Sequence, residues 1–331
     1  MTNNAGKHNI WLLLLSAALI GCAVLNTTTA KAAESTNSDD AGMAVYKALL
    51  PKAEAGDAEV QTTLGLMRLR GDVVERDLKV ARVWLGKAAL QNHTPAQYYL
   101  GQLLLLDVFN ASQSDLNKQL TEGMGWLRRA SRDQHNPSQL LYSQTVLESQ
   151  LESPFGHSKI EAQQHLDSCA EVYLPCTQYA LKRLDQGKEE VYCPNNEFCE
   201  QKKRLLYTLA NAGDANARYR LSKFEGEDRM FWVRRAARLN HPQASHELAE
   251  LVLKNEVPLQ PEDPAVLALL NTAAQQGLPE SMHLLGSLLY EGTRFPVNKP
   301  LGLQWLNLAA QRGHKPSIEL LAQLQEPAGN I

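Results

Sequence analysis

A short turn-and-helix motif recurs along this chain and constrains its fold more than any other feature. Each occurrence has a glycine, asparagine or glutamine in a turn, then in most cases a polar residue, and eight positions after the turn a leucine or tyrosine followed by a small residue. Apart from one double-length gap after Gln134, successive occurrences start about 27 to 42 residues apart, a period typical of helix pairs stacked into a solenoid. The seven occurrences are Gly56-Asp57 with Leu64-Gly65, Asn92-His93 with Leu100-Gly101, Gln134-His135 with Tyr142-Ser143, Gly213-Asp214 with Leu221-Ser222, Asn240-His241 with Leu248-Ala249, Gly277 with Leu285-Gly286, and Gly313-His314 with Leu321-Ala322.

A second apolar stripe follows most of these motifs. In each, tryptophan or leucine is followed directly by leucine or valine, and two adjacent small residues, alanine or serine, come four residues later. With Ala81 this gives the spacing i, i+3, i+4, i+7 and i+8, which is one face of a helix. Strand signals are nearly absent, so the sequence predicts an all-α protein. The stripe comprises Ala81, Trp84, Leu85, Ala88 and Ala89, then Trp126-Leu127 with Ala130-Ser131, Trp232-Val233 with Ala236-Ala237, Leu269-Leu270 with Ala273-Ala274, and Trp305-Leu306 with Ala309-Ala310.

These two patterns resemble the Sel1-like branch of the tetratricopeptide superfamily, whose signature is A-x-x-x-L-G followed by W-L-x-x-A-A-x-x-G. The first part is intact from Ala96 to Gly101, and the second is clearest at 84–92 and 305–313. The resemblance covers about residues 43 to 325 and implies a right-handed α/α solenoid of about seven helix pairs within 42–331. Between 145 and 240 the register is open. One unit there is inferred from Pro175-Cys176 and Ala180-Leu181, and a tight turn is expected near Glu225-Gly226-Glu227.

The N-terminus predicts export and lipidation. Lys7 precedes an apolar run from 10 to 25, too short for a bilayer span of roughly 20 residues but suited to a signal peptide. Within it, Leu19-Ile20-Gly21-Cys22 resembles a bacterial lipobox, which implies a signal peptide over 1–21 and a lipid on Cys22. The Thr-, Ser- and Asn-rich stretch that follows predicts a flexible tether over 22–41.

Three outcomes of export remain open. Ala23 after the lipidated cysteine, where an aspartate would signal inner-membrane retention, favours an outer-membrane lipoprotein that faces the periplasm. Ala30-Lys31-Ala32 also fits an ordinary cleavage site that would release a soluble periplasmic protein. The third alternative is an uncleaved membrane anchor.

Four further cysteines, Cys169, Cys176, Cys193 and Cys199, allow three disulfide pairings in an oxidising compartment. The resemblance to cysteine-rich Sel1 proteins, whose bridges close the junction between helices, implies the local pairs Cys169–Cys176 and Cys193–Cys199. A structural zinc site is the alternative, but the spacing within each pair is wider than zinc sites normally have.

Catalytic patterns are missing from the sequence. His93, His135, His241 and His314 share one repeat position with Asp57, which favours a capping role over a metal site, so neither a metal nor a cofactor is predicted. Some cysteine-rich Sel1 proteins have been linked to penicillin binding or hydrolysis, but neither S-x-x-K nor K-T-G occurs here. The sequence therefore predicts a non-catalytic scaffold, and an enzyme of β-lactam or cell-wall chemistry is the alternative.

The remaining functional prediction is a binding surface. A net charge of −3 does not favour nucleic acid, and membrane contact is expected only through the N-terminal lipid. In tetratricopeptide-like stacks the first helices line a concave groove, which suits recognition of envelope proteins or peptides, including those of a secretion or motor complex. The residues predicted to face this groove are Tyr98, Gln102, Gln144, Lys182, Tyr219, Lys223, His246, Glu250 and His283.

Overall fold

The computed structural model describes residues 36–107, 113–148, 158–185, 196–224, 227–254 and 264–325, and within these ranges it contains helices and no strand. This confirms the all-α prediction. Consecutive helices form the expected pairs, in which we call the first helix A and the second B. The helices are α1 Thr36–Glu54, α2 Ala58–Arg70, α3 Leu78–Leu90, α4 Thr94–Asp107, α5 Gln113–Arg132, α6 Asn136–Glu148, α7 Lys159–Ala170, α8 Leu174–Asp185, α9 Asn196–Asn211, α10 Ala215–Leu221, α11 Arg229–Ala237, α12 Pro242–Leu253, α13 Pro264–Gln275, α14 Pro279–Glu291, α15 Lys299–Gln311 and α16 Lys315–Gln325.

The recurring turn sets where each A helix begins. Its first residue has a left-handed backbone, with φ between 58° and 102° at Gly56, Asn92, Gln134, Gly213, Asn240, Gly277 and Gly313. The next residue is then placed to cap the helix. Asp57 accepts a hydrogen bond from the Val60 amide at 3.0 Å, and His241 Nδ1 accepts one from the Ala244 amide at 3.3 Å. The capping role predicted for this position is thus confirmed at His241.

The small residue of the motif lets the two helices of a pair approach closely. A Cβ atom added to Gly101 of α4 would lie 2.8 Å from Leu127 Cγ and 2.9 Å from the Gly123 carbonyl oxygen, both on α5. Gly286 of α14 has the same relation to α15, since its Cβ would lie 2.9 Å from the Gly302 oxygen. Leu127 and Leu306, the B-helix residues opposite these glycines, are fully buried.

The chain divides into two compact units, and the first ends at Ala180, inside α8. Its core runs from Tyr46 and Leu64 through Leu85 to Tyr142. Helix α1 begins at Thr36, inside the segment predicted as tether. The sequence did not indicate this start, because the first residues of the helix are polar and leave no periodic apolar signal. Helices α6, α7 and α8 occupy the stretch in which the repeat register was open.

The second unit begins at Leu181 and contains one shortened pair. Helix α10 has seven residues, and Asp228 caps α11 by accepting a hydrogen bond from the Phe231 amide. Between them, Glu227 accepts hydrogen bonds from Tyr207 Oη at 2.6 Å and Trp232 Nε1 at 3.0 Å. Residues 225 and 226 of the expected tight turn lie outside the described residues. Its third residue, Glu227, ties α9 to α11 through this carboxylate.

Candidate functional site

One face of the A helices carries a regular series of contacts from each repeat to the next. In the first unit, Thr62 Oγ1 lies 2.8 Å from His93 Nδ1, and the Tyr98 ring lies 5.2 Å from the His135 ring. Thr62 and Tyr98 each stand five residues after the cap of their own helix. Their partners are the cap residues of the following helix, so one repeat position links successive A helices.

The second unit continues this series with stronger polar groups. Tyr219 of α10 stacks on the cap residue His241 of α12, with ring centroids 4.6 Å apart. His246 Nδ1 of α12 lies 2.9 Å from Ser281 Oγ of α14. A side chain five residues after a cap therefore reaches the next A helix twice in succession here as well.

The series ends on α16. His283 Nδ1 of α14 lies 2.9 Å from Ser317 Oγ, and the His283 ring lies 4.9 Å from the His314 ring. His314 Nδ1 lies 2.9 Å from the same Ser317 hydroxyl. We call Tyr219, Lys223, His246, Glu250 and His283 the polar strip; four of them lie on α10, α12 and α14, and Lys223 lies in the turn that follows α10.

A shared carboxylate fixes one end of the polar strip. Glu247 of α12 accepts a hydrogen bond from Tyr219 Oη at 3.1 Å and pairs with Lys223 Nζ at 2.7 Å and Arg229 Nη2 at 2.5 Å. Burial opposes the charge on both Glu247 and Lys223. The hydrogen bonds and charges of Lys223 and Arg229 together outweigh burial at Glu247 and lower its pKa. Those of Glu247 and Tyr219 together outweigh it at Lys223 and raise its pKa. Both groups are therefore charged at neutral pH.

Five histidines have a lowered pKa instead, four of them in these series and His165 on α7. Burial favours the uncharged imidazole and is the first cause that brings their pKa below the ordinary value of 6.5. At neutral pH these five are uncharged rings rather than cations. The five are His135, His165, His241, His246 and His283.

The histidine–serine contacts have the geometry of a base beside a hydroxyl, but burial argues against nucleophilic catalysis at these pairs. Ser281 and Ser317, like Ser138 beside His135, are fully buried, so their oxygens do not face a space that a substrate enters. The pairs also recur along the array, as structural contacts between repeats do. Among the described residues, no three His, Cys, Asp or Glu side chains are grouped as they would be to hold a metal ion.

The structure distributes the predicted groove residues unevenly. Tyr98 is largely enclosed, and burial raises its pKa to about 12, so it packs rather than offers a free hydroxyl. Gln102 of α4 and Gln144 of α6 are half-buried in the first unit, whereas Lys182 on α8 is exposed. The five residues of the polar strip are the predicted set that the structure brings together. Within the strip, the Lys223 side chain and the half-buried Glu250 retain the most access to solvent.

One set of repeat residues escaped the sequence reasoning. Gln61, Gln97 and Gln139, each four residues after a cap, are buried and donate to backbone carbonyls eight residues earlier, at 2.8, 3.3 and 3.2 Å. Arg218 occupies the same position in the second unit and donates to the Ala210 carbonyl at 2.9 Å. The signal was present in the sequence, since glutamine recurs there in three consecutive motifs.

The cysteines differ in how far the structure describes them. Cys169, at the end of α7, and Cys176, on α8, form a disulfide across the turn at 171–173, with Cα atoms 5.7 Å apart. Pro175 lies in the first turn of α8. Cys199 on α9 is also disulfide-bonded. Cys193 lies outside the described residues, so its pairing with Cys199 stays a prediction.

The predicted lipidation site, Cys22, and the signal segment 1–21 also lie outside the described residues. In the part of the chain that the structure covers, none of the helices has the length and apolar character needed to cross a membrane. Localisation therefore still rests on the sequence pattern.

Comparison with known proteins first gives the class. A protective antigen of uropathogenic Escherichia coli with an SLR fold superposes with a TM-score of 0.63 at 20% identity, over 86% of this chain and 60% of that one. This chain thus spans less than two thirds of that antigen's length. A Sel1 repeat protein of Oxalobacter formigenes gives 0.53 at 22% identity, over 96% and 94% of the two chains. Fold and helix pairing together define an α/α repeat protein.

The particular repeat follows from the sequence family. The Sel1 repeat model matches residues 58–93, 94–135 and 279–314, which are the pairs α2–α3, α4–α5 and α14–α15. These three stretches are therefore Sel1-like repeats, as the motifs predicted. Sel1 repeat proteins generally mediate protein–protein interactions. No curated protein matches the sequence.

Proposed function

We propose that this protein is a non-catalytic scaffold of the bacterial cell envelope, anchored in the outer membrane by lipid on Cys22 and binding envelope proteins or peptides through its A-helix surface. The observation that carries the proposal is the polar strip. Three successive A helices and the turn after α10 hold a cation, a carboxylate and neutral imidazoles at fixed spacing, and contacts between repeats keep them in place. A surface ordered in advance loses less conformational entropy when a peptide binds.

The residue types of the polar strip support peptide recognition. Tyrosine and histidine give planar surfaces with hydrogen-bonding edges, while Lys223 and Glu250 give charges of opposite sign in neighbouring repeats. A peptide in the groove would meet these groups in repeat order. Assistance to a secretion or motor complex is compatible with such a scaffold and is the finer part of the proposal.

The proposal is tested by reversing accessible charges without disturbing the core. Lys182→Glu combined with Glu250→Lys alters two side chains of the predicted groove that have solvent access. The matched control reverses Glu200 and Arg204, which are exposed on the B helix α9. Both double variants retain the net charge and are expected to retain wild-type helicity.

Quantitative affinity capture from solubilised envelopes then compares the variants with the wild type. We expect the groove variant to capture roughly tenfold less, or still less, of the proteins that the wild type captures, because charge mismatch inside an interface costs several kcal/mol. The control should capture nearly as much as the wild type. Equal capture by both variants would reject the A-helix surface as the binding site.

A further inference from the structure

Two B helices of this chain carry the same arginine pattern. Helix α5 reads W-L-R-R-A-S-R from Trp126 to Arg132, and α11 reads W-V-R-R-A-A-R from 232 to 238. Both bury the residue after tryptophan and the two small residues, so the registers match. Arg234 and Arg238 therefore occupy the repeat positions of Arg128 and Arg132. Members of each pair are four residues apart and share a helix face.

In α5 this arginine pair holds one carboxylate. Arg128 Nε lies 3.1 and 2.9 Å from the two oxygens of Glu161 on α7, and its Nη2 lies 2.6 Å from Oε2. Arg132 adds Nε at 3.0 Å and Nη2 at 2.9 Å, both to Oε1. The hydrogen bond from Arg128 is the main cause that lowers the pKa of Glu161. The pair thus grips both oxygens of one carboxylate, a geometry for which guanidinium is suited.

In the second unit the carboxylate is missing from this position. Helix α7 buries Leu166, Cys169 and Ala170, and α13 buries Leu270, Ala273 and Ala274 at the same spacing. Five residues before the leucine stands Glu161 in α7, whereas Ala265 stands there in α13. The two helices concerned are neighbours, since Leu269 of α13 packs on the cluster that contains Val233 and Ala236 of α11.

The arginine pair of α11 is exposed and unmatched. Arg234 and Arg238 lie in solvent and form no ion pair with any carboxylate of the described residues. Phe231 and Leu239 flank them with 42% and 41% of their surface exposed, and Arg235 stacks on the Phe231 ring at 4.3 Å. The result is a basic stripe with an apolar residue at either end.

We propose that Arg234 and Arg238 bind a carboxylate of an acidic segment in a partner protein, in the way that Arg128 and Arg132 hold Glu161. The internal copy identifies the ligand chemistry, because the same residues at the same repeat positions already bind a carboxylate in this chain. Phe231 and Leu239 provide apolar contact for residues beside the acidic one. This inference rests on the proposed role in protein binding, but it concerns a B-helix face rather than the polar strip.

The repeat offers a variant that closes the site without removing either arginine. Ala265→Glu restores the carboxylate at the position of Glu161 and is expected to occupy the arginine pair from within. It also places an acidic residue in the first turn of α13, where the helix dipole favours it. Arg234→Gln with Arg238→Gln removes the pair, and Arg204→Gln, an exposed arginine on α9, is the control.

The test measures fluorescence anisotropy of a labelled oligoglutamate peptide, with oligoglutamine as the neutral probe, on the purified mature chain at low ionic strength. We expect the wild type and Arg204→Gln to bind oligoglutamate, and both Ala265→Glu and the double glutamine variant to bind roughly tenfold more weakly or worse. Glu161→Gln should open the first pair and raise the number of peptides bound per chain from one to two.

Other outcomes overturn the inference. Oligoglutamate binding that is absent, or unchanged in Ala265→Glu and the double variant, rejects the site. Binding to vesicles of phosphatidylglycerol that depends on the arginine pair, without oligoglutamate binding, assigns the stripe to a lipid surface. If Glu262→Gln combined with Asp263→Asn gains peptide binding, carboxylates of this chain itself occupy the arginine pair. Because purified protein and a defined peptide are used, failure here leaves the envelope-capture test of the polar strip unaffected.

Discussion

Replacing Gly101 by alanine is expected to destabilise the protein although alanine is the better helix former. The added methyl would lie 2.8 Å from Leu127 Cγ and 2.9 Å from the Gly123 carbonyl oxygen, closer than carbon atoms approach either. A backbone carbonyl has no alternative rotamer, so α4 and α5 must separate, and overpacking of this kind costs about 1–3 kcal/mol. The gain in helix propensity returns about 0.5–1 kcal/mol. The expected net change is a loss of up to roughly 2.5 kcal/mol in the free energy of unfolding.

The matched control is Gly125→Ala on α5, where an added methyl meets no atom within 4 Å. It should raise the free energy of unfolding by about 0.5–1 kcal/mol, because only the helix propensity changes. Urea unfolding followed by far-UV circular dichroism measures both variants. The sign of the change should differ between them. If Gly101→Ala is as stable as Gly125→Ala, close helix approach is not the reason for glycine in the motif.

Three further predictions concern other parts of the chain. Burial lowers the pKa of five histidines below the unfolded value of about 6.5, so the unfolded chain binds more protons than the folded chain below that pH. Tm should therefore fall as the pH drops from about 7 towards 5, and a constant or rising Tm would contradict this. Mutating both Cys169 and Cys176 to alanine opens a loop of sequence separation 7 and should cost about 2–3 kcal/mol in urea unfolding, with an unchanged midpoint as the contrary result. Cys22→Ser should abolish fatty-acid labelling and release the protein from membranes, whereas a wild type that takes up no lipid would disprove the lipobox interpretation.

The sequence was sufficient for the helix pairs because their signals are local and periodic. A turn residue such as Asn92 adopts a left-handed backbone wherever it occurs in this motif, and the apolar stripe around Trp84 has one possible helical face. The start of α1 at Thr36 was missed, since polar residues at a helix end carry no periodicity. The register near α10 was open because a seven-residue helix is too short to show a period.

Side-chain roles on the A-helix surface were less predictable, since they depend on what the next repeat presents. Tyr98 and Tyr219 occupy the same repeat position and both meet a histidine cap, yet only Tyr219 also reaches a carboxylate, Glu247. Spacing alone places a residue on a face and does not say whether its polar atom is already bonded. The buried glutamines, such as Gln61, show the opposite case. A polar side chain at a core position is explained only by the structure, which shows the backbone carbonyl that accepts its hydrogen bond.

The backbone of this array is uniform, while its charges are matched repeat by repeat. Glu161 satisfies two arginines of α5, and Glu247 satisfies Lys223 and Arg229 in a different geometry. In either arrangement the helices also pack through buried apolar residues, such as Leu127 with Ala162 and Val233 with Leu248. The charged contacts therefore differ between repeats while the apolar packing recurs. It follows that recognition in such a scaffold is best sought where a repeat retains a charged pair but lacks the internal group that neutralises it elsewhere, as Arg234 and Arg238 do.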